Sequence, residues 1–132
     1  MADPVFVYGT LTDPERAGAM LEEFEFRSAA TLLGLHRVDG RYPTLAPGGT
    51  VDGRLLWTAD LDPLDRYEGV AEGLYVRVSV PVAGGCGGDA AWVYVGDPGA
   101  LGVAVDWPGT GGFLDRVRAY LAGHDVQVAC SP

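Results

Sequence analysis

The stretch VFVYGTLTDPE, residues 5–15, joins a strand pattern to a helix start through a single tight turn. Residues 5–8 are β-branched or aromatic, which favours a strand, and Gly9 ends the run. Thr12 and Glu15 have the spacing of a capping box, in which Thr12 caps the helix and Glu15 returns the bond. The apolar residues that follow at helical spacing are Ala17, Leu21 and Phe24. The stretch therefore predicts a first strand followed by a helix that runs to about residue 24.

Beyond this stretch, short runs rich in apolar and β-branched residues predict further strands at residues 29–38, 50–57, 75–82, 90–95 and 126–128, with Gly53 as a possible bulge. Residues 75–82 and 90–95 flank a glycine-rich loop and resemble a hairpin. Helical periodicity predicts helices at residues 61–69 and 113–121. Strands often follow one another without a helix between them. We therefore expect an α+β fold, with a small mixed, mostly antiparallel β-barrel-like sheet and two or three flanking helices. Residues 1–132 are predicted to form one domain.

The charge balance argues against several partners. Nine basic residues, all arginine, face eighteen acidic residues, so the net charge is −9, and binding to nucleic acid is not expected. The chain contains no apolar run near the ~20 residues that a membrane span requires, and its start lacks the pattern of a signal peptide. We expect a cytoplasmic protein without a membrane partner. His36 and His124 are scattered, so no metal site is expected. Composition does not indicate an oligomeric state.

The predicted helix at residues 61–69 carries a carboxylate on its apolar side. Leu61, Leu64 and Glu68 fall on one stripe, with Tyr67 beside it. The opposite arc, predicted to be solvated, holds Asp62, Asp65 and Arg66. Asp60 is predicted to cap the start of this helix, and Gly69 is predicted to end it in the left-handed conformation.

Two interpretations of Glu68 follow from that periodicity. If Glu68 points inward, burial raises its pKa toward the range that a general acid/base needs near neutrality. If Glu68 lies in a fraying last turn, its side chain reaches water. Periodicity alone leaves both interpretations open.

The turn formed by Tyr8, Gly9, Thr10 and Leu11 is the second candidate site. Gly9 permits a sharp turn and the close approach of a ligand. The amides that follow precede a helix start, where unpaired N–H groups favour a substrate carboxylate or a developing oxyanion. The alternative is a plain connection between a strand and a helix.

Three further residues are candidates for substrate binding. Tyr42 precedes Pro43 and is therefore extended, so it either lines a cavity or packs in the core. Tyr75 and Arg77 share one strand face. Arg77 either pairs with a carboxylate, on the substrate or on Glu68, or is an ordinary exposed strand arginine.

Taken together, these motifs resemble the gamma-glutamylcyclotransferase family. The resemblance runs in order along most of the chain, and four blocks carry it: VYGTL at residues 7–11, YPTL at residues 42–45, VDGRL at residues 51–55, and LDRYEGV at residues 64–70, followed by Gly73, Leu74, Tyr75 and Arg77.

This resemblance implies a small mixed barrel whose cavity binds a γ-glutamyl group, with Glu68 as the matching acid/base. It implies an acyltransferase or lyase in which the α-amine of the substrate attacks its own γ-carbonyl, which releases 5-oxoproline and a free amine. That chemistry needs no metal and no cofactor. The turn at residues 8–11 would supply donors for the oxyanion and the α-carboxylate.

Two other functions remain open at this point. One is a non-catalytic domain that binds a small molecule in the same cavity. The other is a different reaction of Glu68 on a related amide. The sequence does not identify the amine side of the substrate.

Overall fold

The computed structural model of the chain describes residues 2–40, 42–83 and 89–130, with the backbone alone described for Thr10. The strands are β1 (Asp3–Val7), β2 (Glu25–Val38), β3 (Thr44–Thr58), β4 (Tyr75–Pro81), β5 (Ala90–Gly96) and β6 (Gln127–Cys130). The helices are α1 (Pro14–Met20), α2 (Asp62–Glu68), α3 (Pro98–Leu101) and α4 (Phe113–Gly123), and a 3-10 turn at Thr10–Thr12 joins β1 to α1.

The strands form one six-stranded sheet in the order β4-β5-β1-β3-β2-β6. All neighbouring strands are antiparallel except β1 and β5, which are parallel. The two edges of the sheet approach each other, because Val82 forms a parallel bridge with Val128 and the Ala83 amide donates to the Val128 carbonyl at 2.8 Å. The sheet is therefore curled toward closure, and the predicted α+β fold with a mixed, barrel-like sheet is confirmed.

Strand β1 is central and is buried on both faces, as its nearly continuous apolar sequence indicates. Phe6 and Tyr8 pack into the interior of the curled sheet with residues such as Leu55. Val117 of α4 and Trp107, which lies before α4, belong to the same cluster. The other side of β1 packs against a second cluster that the helices cover. That second cluster contains Val5, Val7, Leu11, Leu21, Leu56, Leu64, Tyr75, Tyr94 and Leu101. One end of β1 thus lies between two apolar layers, and the functional site forms there.

Helix α1 starts one residue later than predicted and is shorter. Asp13, not Thr12, is its N-cap, since the Asp13 carboxylate accepts from the Glu15 amide at 3.0 Å. Thr12 instead donates its hydroxyl to the Gly9 carbonyl at 2.7 Å, which tightens the turn. Pro14 explains the shift, because proline suits the first helical position and leaves the cap to the residue before it. The helix ends at Met20, and Phe24 lies beyond it, edge-on to Phe26.

Strands β2 and β3 are longer than predicted, and the bulge expected at Gly53 is wrong. Gly53 pairs regularly with Ala30. The register shifts lie instead at Phe26/Ser28, where β2 has an extra residue, and at Leu33/Leu35, where β3 has an extra residue. Glycine is needed at position 53 for another reason. A Cβ atom there would lie 2.2 Å from the Val7 carbonyl oxygen, so the glycine permits the close approach of β1.

Helix α2 begins without the predicted Asp60 cap, because Leu61 occupies the N-cap position with no side-chain bond. Its predicted end is confirmed, since Gly69 adopts the left-handed conformation at φ 69° and ψ 38°. The hairpin of β4 and β5 and the helix α4 are also confirmed. Helix α3 was not predicted, and the glycine-rich tip at residues 84–88 lies outside the described residues. No helix in the described part of the chain is long and apolar enough to cross a membrane.

Candidate active site

A cavity of about 410 Å³ opens where β1, α1, α2, β4 and the segment before β3 meet. Its volume suits a small molecule. Its wall is mostly apolar and aromatic, and among the described residues Glu68 and Arg16 are its charged members. The lining residues are Phe6, Val7, Tyr8, Gly9, Leu11, Arg16, Tyr42, Pro43, Tyr67, Glu68, Leu74, Tyr75 and Tyr94.

Helix α2 directs Glu68 into this cavity. Leu64, one turn earlier on the same stripe, is fully buried and fixes the inner face of the helix. Asp62 and Arg66 are exposed on the outer face, as predicted, and Tyr67 is 44% exposed at the mouth of the cavity. Glu68 is the last helical residue, yet it is half-buried against the cavity wall. The structure therefore favours the inward interpretation of Glu68 over the frayed one.

Burial controls the protonation of Glu68. It raises the pKa of the Glu68 carboxyl from 4.5 to about 7, because the charged form loses hydration. No hydrogen bond or ion pair to Glu68 is present within residues 2–40, 42–83 and 89–130. The carboxyl group is thus balanced between its two protonation states near neutral pH and is available to a ligand.

Three tyrosines surround the carboxyl group. Burial, and then the negative charge of Glu68, raise the pKa of Tyr8 and of Tyr75 above the usual phenol value. Burial raises the pKa of Tyr94 as well, with its bond to Asp65 as the next cause and Glu68 as a smaller one. All three phenols are therefore neutral at physiological pH.

Each of these phenols is held by a short hydrogen bond. Tyr8 donates to the Tyr94 carbonyl, Tyr75 donates to the Pro43 carbonyl, and Tyr94 donates to the Asp65 carboxylate, each at 2.6 Å. The tyrosines thus form fixed walls that connect the end of β1 to β5, β5 to α2, and β4 to the segment before β3. A site with rigid walls retains its shape without a ligand.

The turn after β1 contributes Tyr8, Gly9 and Leu11 to the cavity wall. The Thr12 amide donates to the Gly9 carbonyl at 3.1 Å, which closes the turn. A Cβ atom on Gly9 would lie 3.2 Å from Cγ of Pro43, so the glycine allows the turn to approach the neighbouring loop. Arg37 donates to the Tyr8 carbonyl at 2.9 Å and fixes the end of the strand. The backbone of Thr10 lies in this turn, and its side chain is outside what the structure describes.

Most of the predicted site residues are thus brought together at one cavity: Tyr8, Gly9, Leu11, Tyr42, Glu68 and Tyr75. Tyr42 is 48% exposed at the mouth, so the interpretation that it lines a cavity describes it better than core packing.

Arg77 is not among the described lining residues, and its carboxylate partner is Asp65, so neither pairing with Glu68 nor an ordinary exposed strand arginine describes it. Its Nε atom pairs with Oδ1 of Asp65 at 3.0 Å, and its guanidinium lies over the Trp92 ring. Asp65, predicted to be solvated, has a side chain only 24% exposed for the same reason. Helical periodicity gave the direction of Asp65 from its own helix and contained no information on the β4 and β5 side chains beside it.

Arg16 is the lining residue that the sequence analysis missed. It is exposed on α1, and no ion pair or hydrogen bond to it is present among the described residues. One signal could have indicated it, because α1 follows the turn directly, so its first turn lies beside residues 8–11. For metals, the described ranges contain no group of three His, Cys, Asp or Glu side chains that could hold an ion.

The curled sheet thus carries an aromatic cavity with a carboxyl group in its wall, and a cavity of this size and composition is typical of a small-molecule site. Residues 5–108 match the family described as "Gamma-glutamyl cyclotransferase, AIG2-like", and the chain belongs to that family. The matched range includes both the turn at residues 8–11 and Glu68. The resemblance inferred from the motifs is thereby confirmed.

Two relatives come from Arabidopsis thaliana. AIG2-like protein A is 36% identical over 83 residues, which cover 59% of this chain and 50% of that protein. AIG2-like protein C is 39% identical over 86 residues, which cover 59% of this chain and 48% of that protein. The matched region thus spans about half the length of these relatives. A solved gamma-glutamyl cyclotransferase shares the fold, with a TM-score of 0.65 at 17% identity over 91% of this chain and 98% of that chain.

Proposed function

We propose that this protein cleaves γ-glutamyl amides by intramolecular cyclisation, which releases 5-oxoproline and a free amine. The observation that carries the proposal is the enclosed Glu68 carboxyl group, whose pKa of about 7 allows it both to accept and to donate a proton at neutral pH. Membership of the cyclotransferase family and the size of the cavity support the same activity.

In the proposed reaction, ionised Glu68 first accepts a proton from the α-ammonium group of the substrate. The freed amine attacks the γ-carbonyl carbon, and a new C–N bond closes the five-membered ring. The bond from that carbon to the amide nitrogen then breaks. Glu68 returns its proton to the leaving nitrogen, so the carboxylate is regenerated. The ring nitrogen gives its one remaining excess proton to the released amine, and the products are 5-oxoproline and the protonated amine.

The other parts of the cavity suit this chemistry. Backbone amides of the turn at residues 8–11 are the proposed donors to the oxyanion and to the α-carboxylate. The neutral phenols of Tyr8, Tyr75 and Tyr94 exclude water without adding charge. A low-dielectric wall strengthens the attraction between the substrate ammonium and Glu68.

The decisive experiment is a mass-spectrometric assay of 5-oxoproline release from a panel of γ-glutamyl dipeptides and γ-glutamylamines. We expect Glu68→Gln to lower the turnover by about 10²–10⁴-fold, the usual contribution of a general acid/base. Glu72→Gln is the matched control, because Glu72 is exposed just after the same helix, and it should turn over like the wild type.

Two outcomes would contradict the proposal in different ways. Turnover of Glu68→Gln at the wild-type rate would end the proposed mechanism while leaving the activity in place. The absence of 5-oxoproline across the panel, together with a γ-glutamyl ligand that raises the melting temperature, would identify a binding domain that uses the same cavity.

A further inference from the structure

Asp65, Arg77 and Tyr94 form a cluster beside the cavity that Glu68 lines. Asp65 precedes Glu68 by three positions on α2, so the two side chains are neighbours on the helix surface. Oδ1 of Asp65 accepts from the Tyr94 hydroxyl at 2.6 Å and pairs with Nε of Arg77 at 3.0 Å. The Arg77 guanidinium also lies 4.4 Å from the centre of the Trp92 ring. Asp65 therefore holds a cation and a phenol at the same oxygen atom.

Arg77 is close enough to this site to affect it. Its side chain is 25% exposed, so its charge is only partly screened by water. The pKa of Tyr94 responds to both groups, since the charge of Arg77 lowers it and the charge of Glu68 raises it. Glu68 itself shows no such influence, because burial alone raises its pKa. Arg77, a partly buried cation, is thus engaged with Asp65 and not with Glu68, although both charges act on Tyr94.

We propose that Asp65 is a positioning residue that keeps Arg77 engaged away from Glu68, so that Glu68 remains able to exchange a proton at neutral pH. The kinetic part of this inference rests on the proposed function, and the protonation part does not. Without a carboxylate at position 65, the arginine would be free to turn toward Glu68, whose charge acts on the same Tyr94 phenol as its own. An ion pair there would hold Glu68 ionised and unable to protonate a leaving group.

The other groups that face Glu68 do not supply the same control. Those on the turn after β1, on β4 and on β5 are the neutral phenols of Tyr8, Tyr75 and Tyr94. Arg37 of β2, whose charge lowers the pKa of Tyr8, donates to the Tyr8 carbonyl and pairs with Asp39. The remaining groups are Tyr67 on α2, Tyr42 before β3, and the exposed Arg16 on α1, all at the cavity wall. Asp62 and Arg66 of α2 point to solvent, where their charges are screened.

The test is a titration of the Glu68 carboxyl carbon by NMR in protein labelled on glutamate, with the signal assigned by its loss in Glu68→Gln. Asp65→Asn should lower the titration midpoint by about one pH unit or more, because it frees an adjacent cation. Arg77→Gln should raise the midpoint by about half a unit or more, because it leaves Asp65 as an uncompensated like charge. The double variant should titrate close to the wild type.

Asp62→Asn is the matched control, since it makes the same chemical change on the exposed face of the same helix, and its midpoint should not move. Asparagine at position 65 still accepts from Tyr94, and the melting temperature of each variant shows that it is folded. If Arg77→Gln does not fold, the comparison of Asp65→Asn with Asp62→Asn decides alone. An unchanged midpoint in Asp65→Asn, or equal shifts in Asp65→Asn and Arg77→Gln, would overturn the proposal.

This titration requires no turnover, so it separates the two proposals. If the wild type forms 5-oxoproline, the acid limb of its pH–rate profile should shift in the same direction as the NMR midpoint in each variant. If the wild type forms none, the proposed function fails, and the midpoints still decide the role of Asp65.

Discussion

Glu68 lies where its ionised form destabilises the fold. Its pKa is about 7 in the folded protein, against 4.5 when it is solvated, so the folded state binds more protons than the unfolded state between these values. Its contribution to stability is therefore complete below about pH 4.5 and is lost as the pH rises through about 7. Above pH 7, Glu68→Gln should be more stable than the wild type by up to about 3 kcal/mol, less what partial solvation recovers.

Urea unfolding of both proteins at low and at high pH measures that difference directly. The exposed Glu72→Gln variant should follow the wild type at both pH values. A pH-independent difference between Glu68→Gln and the wild type would show that packing, and not protonation, distinguishes them.

Arg16 leads to a prediction about the amine side of the substrate. The buried part of the cavity holds Glu68, so a leaving amine would point to the exposed mouth, where Arg16 lies without a charged partner among the described residues. The wild type should therefore prefer γ-glutamylalanine to γ-glutamylethylamine, which lacks only the carboxylate. Arg16→Gln should reduce this preference in kcat/KM by about tenfold, the value of one exposed charge-assisted contact.

Arg118→Gln removes the same charge from an exposed position on α4 and should leave the preference unchanged. Equal losses for both substrates in Arg16→Gln would instead assign this arginine to the glutamyl half, which the two compounds share.

The candidate site could be predicted only where a residue's direction follows from its own element. The stripe of Leu64 and Glu68 gave the inward direction of Glu68 as one of two interpretations, and Gly9 marked the turn. The partners of Asp65 and Arg77 come from elements far apart in sequence, and no local pattern indicates such a pairing. Arg16 was missed because an exposed helix arginine has the same pattern whether or not a cavity opens beside it.

At the scale of elements, the end of α2 determines where Glu68 lies. Gly69 and Gly73 both have positive φ, at 69° and 78°, but a Cβ atom would lie 2.7 Å from Leu74 Cδ1 at Gly69 and would meet nothing within 4 Å at Gly73. Gly73→Ala should therefore lower the free energy of unfolding by about 1 kcal/mol, because alanine is strained in the left-handed conformation. Gly69→Ala should lower it by about twice that or more, because the added Cβ also meets Leu74.

Chemical denaturation measures the free energy of unfolding of both variants. Gly73→Ala is the control, because it introduces the backbone strain without the contact to Leu74. Gly69→Ala should also reduce 5-oxoproline release, because the end of the helix must move beside Glu68. Equal stability and equal turnover in the two alanine variants would show that Leu74 yields without displacing the helix.

Strand and helix order followed from periodicity, and the boundaries did not. The length of β3 was underestimated because Pro47, Gly48 and Gly49 interrupt the sequence pattern. The strand nevertheless continues through them, since Pro47 pairs with Leu35 and the two glycines lie at a register shift. The bulge predicted at Gly53 was wrong for a similar reason. Glycine is required there because the Val7 carbonyl on another strand leaves no room for a Cβ atom. Tertiary contacts decided these positions.

At the scale of the whole molecule, a net charge of −9 acts against the compact state. Raising NaCl from about 20 mM to about 500 mM at neutral pH shortens the screening length several-fold, and it should stabilise the fold by about 1 kcal/mol, or about 4 °C in Tm. Near pH 4.5, where the carboxyl groups are partly protonated, the gain should shrink. A salt effect of equal size at both pH values would attribute it to something other than self-repulsion.

The parallel pairing of β1 with β5 also has a consequence for biosynthesis. Val5 pairs with Trp92, and the Tyr8 hydroxyl bonds to a carbonyl 86 positions later, so β1 is synthesised well before the strand that it pairs with. A nascent chain that pauses before β5 emerges already contains the turn at residues 8–11 and Glu68. It lacks Tyr94, the residue that β5 contributes to the cavity wall. Competence for a ligand therefore arises late in synthesis, in one step, when β5 inserts beside β1.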